Sequence, residues 1–397
     1  MLPQKPFAWG ESRSCIRDLA EYGAVRKSEI GAENVYDFSL GNPSIPAPSC
    51  LNETIIELAQ TENKTLHSYT TAAGLFELRQ KIAEDTNSRY KLNTTADNVY
   101  VTCGAAAGLA ICFKALLMPG EEVIVNAPFF PEYRVFVEAA GGKTVVVQPG
   151  PGMELNLQGI KDALNENTKA IVLNSPNNPS GAIYSADSLK KLAELLKAWE
   201  KETGHIVYAI SDDPYRELVY DTDEVPSIME YYDNSIQCYS YSKSLSIPGE
   251  RIGYLVVSDK MSDWKDVYFC VMGAGRCLGY VNPPSLFQNV ILRCMGQTSD
   301  ISKYKENRDI LCDGLRKIGY YLVDPQGAFY LMVKALESDA KSFSEKAKKH
   351  ELLLVPSDDF GCPGYVRIAY CVDKKMIEKS MPAFKALFDE YKIEGGK

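Results

Sequence analysis

Short apolar runs alternate with amphipathic segments between residues 95 and 258, and this alternation constrains the fold more than any other feature of the sequence. Brief runs rich in Val, Ile and Tyr are typical of buried strands. They occupy residues 99–103, 122–126, 169–173, 206–211, 236–239 and 253–258. Strands that alternate with helices predict an α/β domain with a mostly parallel sheet, and such sheets bind ligands at the carboxyl ends of their strands. Beyond this region we expect a long helical stretch over residues 284–317 and strands at 327–331 and 364–369.

A turn rich in hydroxyls and cations follows the strand predicted at 236–239. Ser240, Ser242 and Lys243 stand close together there, and Arg251 comes soon after in Pro-Gly-Glu-Arg-Ile-Gly. Hydroxyl donors suit a phosphate group, and so does a planar guanidinium, which can contact two of its oxygens at once. A lysine amine beside that phosphate can form a Schiff base with a carbonyl. Lys243 alone would be interpreted as an exposed loop lysine, but the spacing favours a phosphate site.

The charge balance and the cysteines limit the classes of partner. The chain has 397 residues and carries 43 basic and 52 acidic side chains, so its formal net charge is −9. This charge argues against nucleic acid or an anionic membrane surface as a partner, and no apolar run is long enough to cross a bilayer. The 11 cysteines include no CxxC pair, and the first residues do not resemble a secretory leader. We therefore expect reduced thiols, a cytoplasmic location and, with only three scattered histidines, no metal site.

Ser-x-Ser-Lys followed by Pro-Gly-x-Arg-x-Gly resembles the cofactor-lysine motif of the class I aminotransferases, fold type I enzymes that use pyridoxal 5'-phosphate (PLP). Other segments match the same family in order: a Gly-x-Pro loop at Gly41, Tyr-x4-Gly-x3-Leu-Arg from Tyr69, Asn-Pro-x-Gly from Asn178 and Asp-x-x-Tyr from Asp212. The resemblance covers nearly the whole chain and ends at Arg367.

This resemblance implies an aspartate aminotransferase-like fold. We expect a large PLP-binding domain over residues 46–294 and a smaller α+β domain built from residues 1–45 and 295–397. The family also implies a homodimer with shared active sites.

The resemblance further implies which residues bind PLP. The phosphate would contact backbone amides after a glycine turn, side chains of the lysine motif and a tyrosine of the neighbouring subunit, that is Gly104, Ala105, Ala106, Ser240, Ser242, Arg251 and Tyr69. Phe130 would cover the ring, and Asp212 would pair with its nitrogen. Asn178 and Tyr215 would contact the ring oxygen, and Lys243 would form the link to PLP. Two positions depart from the usual pattern, since Ala106 supplies no side-chain donor and Asp213 replaces a glutamate.

The substrate site is implied in the same way. Gly41 would line it, and Asn178 and Arg367 would hold the α-carboxylate of an amino acid. Arg367 also stands inside an apolar run, where an unpaired charge is costly, so it needs an anion. Arg276 precedes Tyr-x-Asn-Pro-Pro, and one branch of the aspartate aminotransferases has an arginine near a similar motif that binds the substrate's second carboxylate. The spacing here is one residue longer, and a structural surface arginine is the alternative.

We therefore expect an enzyme that moves an amino group between an L-amino acid and a 2-oxo acid, with aspartate and 2-oxoglutarate as the favoured pair. Lys243, once released, would act as the general base. An aromatic or alanine-type aminotransferase, or a PLP-dependent C–S lyase or decarboxylase, would share the same cofactor residues. A PLP-binding regulator would need a nucleic-acid-binding extension, and a purely structural protein would have no reason to bury Arg367.

Overall fold

The computed structural model describes residues 3–11, 15–61, 64–222 and 225–395. Strands within these residues, numbered in chain order, are β1 (Tyr36–Asp37), β2 (Val99–Thr102), β3 (Glu122–Asn126), β4 (Lys143–Val147), β5 (Thr168–Asn174), β6 (Tyr208–Asp212), β7 (Ser235–Ser240), β8 (Gly253–Val257), β9 (Leu322–Val323), β10 (Tyr330–Lys334), β11 (Leu352–Leu353), β12 (Val355–Pro356) and β13 (Tyr365–Ala369). The α-helices are α1 (Gln4–Glu11), α2 (Cys15–Ile30), α3 (Ser49–Gln60), α4 (Phe76–Tyr90), α5 (Ala105–Leu116), α6 (Glu132–Ala139), α7 (Leu157–Ala163), α8 (Ala186–Thr203), α9 (Tyr241–Ser244), α10 (Trp264–Leu278), α11 (Ser285–Cys294), α12 (Ser302–Ile318), α13 (Ala340–Lys348) and α14 (Lys374–Gly395).

The largest sheet has seven strands in the order β2-β8-β7-β6-β5-β3-β4. From β7 to β4 all neighbours are parallel, and β8 runs antiparallel to both β7 and β2. The predicted α/β fold with a mostly parallel sheet is confirmed, and each of the six predicted runs overlaps a strand of this sheet. The edge strand β4 was not predicted.

Alternation of side chains along the strands explains why both faces of this sheet are covered. Val123 and Val125 point to the core beneath α5 and α10, whereas Ile124 between them points to the core beneath α8. The same alternation holds in β5, where neighbouring residues join opposite cores. A sheet buried on both faces leaves only its strand ends for ligands.

Two smaller sheets are separate from the large sheet. Strands β12, β13, β10 and β9 form an antiparallel sheet, and β1 pairs in parallel with β11, which joins the N-terminal segment to the C-terminal part of the chain. The division into residues 46–294 and residues 1–45 with 295–397 stays a prediction.

Two predicted elements after residue 280 need correction. The long helical stretch over residues 284–317 is divided into α11 and α12, because the chain leaves the helix at Met295 and Gly296 adopts a φ of +89°. The strand expected at 327–331 begins at Tyr330, since Gly327 makes only an isolated bridge to Val219.

Among the residues that the structure describes, no helix is both long and apolar enough to cross a bilayer. Over the same ranges, no three His, Cys, Asp or Glu side chains are grouped in a way that could bind a metal ion.

Candidate active site

A cleft opens where the strands of the large sheet end. Most of the predicted site residues line it, namely Gly41, Ala105, Ala106, Phe130, Asn178, Asp212, Tyr215, Ser240, Ser242, Lys243, Arg251 and Arg367. Asp212 and Ser240 are the last residues of β6 and β7, and Asn178 follows β5 by four residues. The carboxyl ends of parallel neighbours meet at one edge, which explains why residues distant in sequence share this cleft.

Hydrogen-bond donors converge at one end of the cleft. Gly104, with a φ of +81°, turns the chain from β2 into α5, and this twelve-residue helix begins in the lining of the cleft at Ala105 and Ala106. This φ favours glycine, and a β-carbon at Gly104 would lie 2.9 Å from Nη2 of Arg251, so a side chain here would also displace the guanidinium. The hydroxyl oxygens of Ser240, at the end of β7, and Ser242, in α9, are 2.7 Å apart. Helix amides, two hydroxyls and a guanidinium form a site suited to a phosphate group.

Asp212 presents one oxygen of its carboxylate without a partner. The side chain is 5% exposed, and its Oδ2 accepts a 2.5 Å hydrogen bond from the hydroxyl of Tyr133. Its Oδ1 is buried with no hydrogen-bond partner among the described residues. Burial raises the pKa of Asp212 to about 7, the hydrogen bond from Tyr133 opposes this, and the neighbouring Asp213 adds to it. An unpartnered buried carboxylate oxygen of this kind suits a cationic N–H group.

Lys243 lies on the single turn of α9, directly after β7. Its Nζ donates a 2.8 Å hydrogen bond to the carbonyl oxygen of Gly41. Desolvation lowers the pKa of Lys243 from 10.5 to about 8, and the nearby Arg367 and Arg251 act in the same direction, while Cys371 opposes them. At pH near 8 about half of these amines are therefore unprotonated, which an ordinary lysine would not be.

Arg367 has a buried guanidinium that can still bind an anion. The residue lies on β13 and is 2% exposed. It donates to the carbonyl of Ser39 at 2.5 Å and makes a long 3.4 Å contact with Oδ1 of Asn178. Its Nε is buried without a partner in the described part of the chain. A carboxylate would supply the partner that this group lacks.

Aromatic side chains surround these polar groups. Phe130 lines the cleft and packs edge-on against Tyr133, with ring centroids 5.8 Å apart. The hydroxyl oxygen of Tyr215 lies 3.2 Å from that of Tyr330. Burial raises the pKa of Tyr215 well above its usual range, so its hydroxyl stays protonated and able to donate.

Two predicted site residues lie away from this cleft, and a third, Gly104, precedes the lining residue Ala105 without lining the cleft itself. Tyr69 is 93% exposed and lines a separate pocket with Asn282 and Pro283. Arg276 is exposed in the last turn of α10. Neither reaches the cleft within one chain, and their roles stay predictions that require a neighbouring subunit.

Three residues of the site were given no role from the sequence. Tyr133 holds Asp212, Tyr330 contacts Tyr215, and Asn174 donates to the carbonyl of Asp212 and accepts from the amide of Asn178. Tyr133 stands in the Phe-Phe-Pro-Glu-Tyr segment, and its place after Phe130 was the available signal. Tyr330, in an apolar strand, gave no signal that would separate it from a core tyrosine.

The chain is similar over its length to known proteins. Residues 32–384 match the family model described as aminotransferase class I and II. The aspartate aminotransferase of Thermotoga maritima is 32% identical over 374 residues, which cover 92% of this chain and 95% of that protein. The structure of an amino transferase from Eubacterium rectale gives a TM-score of 0.96 at 51% identity and covers 98% of this chain and 99% of that one. The aspartate aminotransferase of Thermus thermophilus with maleate gives 0.85 at 27% identity, with the same coverage.

Proposed function

This chain belongs to the class I and II aminotransferases, which depend on PLP, and we propose that it moves an amino group between L-aspartate and 2-oxoglutarate. One observation carries the proposal: Lys243, with its lowered pKa, shares a cleft with an unpartnered oxygen of Asp212 and an unpartnered nitrogen of Arg367. The names of the relatives, several of which are called aspartate aminotransferase, support aspartate as the substrate of this chain. The similar Thermus thermophilus structure is described with maleate, which is a dicarboxylate like aspartate.

The residues of the cleft fit PLP. The helix amides at Ala105 and Ala106, the hydroxyls of Ser240 and Ser242, and Arg251 would hold its phosphate. In the same arrangement the ring would lie against Phe130, with its nitrogen at Asp212 and its oxygen at Asn178 and Tyr215. The unpartnered Oδ1 of Asp212 is the observation that fits the protonated ring nitrogen best. Tyr133 orients that carboxylate and favours its ionised form, because it donates to the other oxygen.

When bound, PLP supplies a carbonyl that links to amines and a ring that accepts electrons from a bond broken at the α-carbon. Lys243 would carry the cofactor and, once displaced by the incoming amine, act as the general base. Its Nζ would take the α-proton of the amino acid and return it to the reacting group, which requires an unprotonated amine near neutral pH. The lowered pKa supports this role.

The α-carboxylate of the substrate would bind to Arg367, with Asn178 beside it and Gly41 close to the reacting amine. The two rings against the guanidinium, those of Tyr330 at 4.7 Å and Phe360 at 5.2 Å, limit its movement. A fixed planar guanidinium favours a bidentate contact and hence a single orientation of the α-carbon.

We propose that the active unit is a cytoplasmic homodimer. Tyr69 would contact the phosphate in the neighbouring site, and Arg276 would bind the second carboxylate of the substrate there. Their exposure in the single chain supports contact with another subunit. All eleven cysteines are unpaired, as is common in reducing compartments.

A panel of amino acids tests the reaction. The PLP-loaded protein is mixed with aspartate, glutamate, alanine, phenylalanine or cysteine, and conversion of the bound cofactor to pyridoxamine phosphate is followed by absorbance. We expect aspartate and glutamate to react fastest, with one 2-oxo acid released per site and reversal by 2-oxoglutarate. Faster reaction with alanine or phenylalanine would contradict the aspartate assignment alone. A cofactor that stays pyridoxal while sulfide or carbon dioxide is released would instead indicate a lyase or decarboxylase.

A further inference from the structure

Tyr330 touches three separate parts of the site. It is the first residue of β10, is 3% exposed and lines the cleft. Its hydroxyl oxygen lies 3.2 Å from that of Tyr215, and its ring centroid lies 4.7 Å from Cζ of Arg367. The third contact is with Gly41, where an added β-carbon would lie only 1.9 Å from the Tyr330 hydroxyl.

The contact with Arg367 follows from strand register. Tyr330 pairs with Ala369 and Met332 pairs with Arg367 across two antiparallel strands. Residues two apart on a strand share a face, so Tyr330 and Arg367 are diagonal neighbours on one face of the small sheet. The ring can therefore lie against the guanidinium and hold its plane, which leaves the in-plane N–H groups for a carboxylate.

The contact with Gly41 links the same tyrosine to the lysine. The carbonyl of Gly41 accepts from Lys243, and the carbonyl of Ser39 in the same loop accepts from Arg367. The absence of a side chain at Gly41 lets the Tyr330 hydroxyl approach this loop and reach Tyr215.

The hydrogen bond between the hydroxyls of Tyr215 and Tyr330 would have one direction when Tyr215 donates to the ring oxygen of PLP. A hydroxyl has a single proton, so Tyr215 would then accept from Tyr330. Donation into Tyr215 makes it a stronger donor, because hydrogen bonds in a chain polarise one another. The ring oxygen would then bear its negative charge more readily. Nζ of Lys243, when linked to PLP, would therefore release its proton at lower pH.

We propose that Tyr330 is a positioning residue that couples the two halves of the site: its ring orients Arg367 toward the substrate carboxylate, and its hydroxyl strengthens the hydrogen bond from Tyr215 to the cofactor. The inference rests on the proposed function, since it takes the roles of Arg367 and Tyr215 from there. It assigns separate effects to the ring and to the hydroxyl, and two substitutions can separate them.

Tyr330→Phe removes the hydroxyl and keeps the ring, whereas Tyr330→Leu removes both. The titratable and charged groups around the cluster, Asp212, Lys243, Arg251, Arg367 and Cys371, are unchanged in both variants. Tyr320→Phe is the matched control. The substitution also removes a buried hydroxyl, which donates a 3.0 Å hydrogen bond to the carbonyl of Phe384, and Tyr320 does not line the cleft.

Two quantities are measured on each PLP-loaded variant: the pH midpoint of the visible absorption band without substrate, and KM for the amino acid that the wild type uses best. Tyr330→Phe should raise the midpoint by about 0.1 to 0.7 pH unit, the range expected if the hydrogen bond from Tyr215 to the charged ring oxygen weakens by about 10–30%, and leave KM within about twofold. Tyr330→Leu should raise the midpoint similarly and also raise KM by about 3- to 30-fold, as for loss of a desolvated cation–π contact. Tyr320→Phe should change neither quantity.

An unchanged midpoint in Tyr330→Phe, or an equal rise of KM in both Tyr330 variants, would overturn the inference while the proposed function stood. Failure of the proposed function is visible in the wild type itself, which would then lack the absorption band or fail to release a 2-oxo acid. A midpoint shift of the same size in Tyr320→Phe would also overturn the inference, because it would show a general effect of losing a buried hydroxyl.

Discussion

The pH dependence of PLP binding should report the ionisation of Asp212. The pKa of this carboxyl is about 7, well above the usual 3.8, because the side chain is buried. PLP with a protonated ring nitrogen needs the carboxylate form. Below pH 7 the empty site holds a proton that must leave when the cofactor binds, so affinity should fall by about tenfold for each pH unit. Above pH 7 the carboxyl is already ionised, and this dependence should disappear.

Tyr133→Phe should move this midpoint upward. The hydroxyl of Tyr133 donates to Asp212 and so favours its charged form. A hydrogen bond to a charged group contributes about 1.5–3 kcal/mol, and one pH unit corresponds to about 1.4 kcal/mol. We therefore expect the midpoint to rise by about one to two pH units. At pH 7, where about half of the wild-type carboxyl is ionised, the variant should bind PLP about 5- to 50-fold more weakly, with a smaller difference at higher pH.

Equilibrium dialysis of PLP between pH 5.5 and 9 measures this effect, in protein carrying Lys243→Ala. That background removes the second titration expected near pH 8, because Lys243 can no longer link to the cofactor. Asp212→Asn in the same background is the control. It retains the titration of the PLP phosphate but loses the carboxylate, and a lost buried charge pair should weaken binding at pH 8 by about 30- to several-thousand-fold.

Parallel pH profiles for the Asp212 protein and the Asp212→Asn variant would refute the reasoning, because the dependence would then belong to PLP and not to the protein. A Tyr133→Phe variant with an unshifted midpoint would refute the part assigned to Tyr133. Only the first result would place the partner of the ring nitrogen elsewhere in the cleft.

Three further predictions concern the proposed roles of single residues. Lys243→Ala should abolish the visible absorption of the lysine-linked cofactor, and borohydride should label no other lysine. Mixed dimers of inactive Tyr69→Ala and inactive Lys243→Ala subunits should regain activity, because one of their two sites is then intact. Arg276→Ala should lower kcat/KM for aspartate and glutamate by about 30- to several-thousand-fold and leave alanine and phenylalanine nearly unchanged, since only the second carboxylate loses its partner.

Each of these predictions has a clear contrary result. Retention of the absorption band in Lys243→Ala, or labelling at another lysine, would move the cofactor to a different residue. Mixed dimers that form, as shown by differently tagged subunits, yet stay inactive would exclude shared sites at Tyr69. Equal losses on all four amino acids would show that Arg276 does not contact the substrate side chain.

The large sheet and its functional edge could be predicted because their signals are local. Buried strands such as β5 and β6 are continuous apolar runs, and the polar residues that end them, such as Asp212, break those runs visibly. The edge strand β4 carries a similar local signal, since Thr144 to Val147 form a β-branched run that Gln148 and Pro149 follow, so nothing in the sequence explains its omission from the prediction. The break between α11 and α12 also has a local signal, because Gly296 is followed by four polar residues at 297–300, and the prediction of one helix did not take it into account.

Tyr330 and Tyr133 could not be identified in the same way, because their roles depend on contacts far apart in sequence. Tyr330 meets Tyr215 across 115 residues, and Tyr133 meets Asp212 across 79. Each tyrosine has the local pattern of an ordinary core aromatic. In the proposed roles, each hydroxyl acts only because a distant part of the chain places a polar group opposite it.

The cations that line the cleft connect the substrate assignment to the dimer. Among the described residues of its lining, the cationic side chains are Lys243, Arg251 and Arg367. The proposed mechanism uses these for the cofactor amine, the phosphate and the α-carboxylate, so a second carboxylate would meet no further cation from that lining. A buried carboxylate without a partner is costly, and a dicarboxylate substrate therefore needs a cation from another element or another subunit. Preference for aspartate together with full activity of a monomer would contradict Arg276 as that cation.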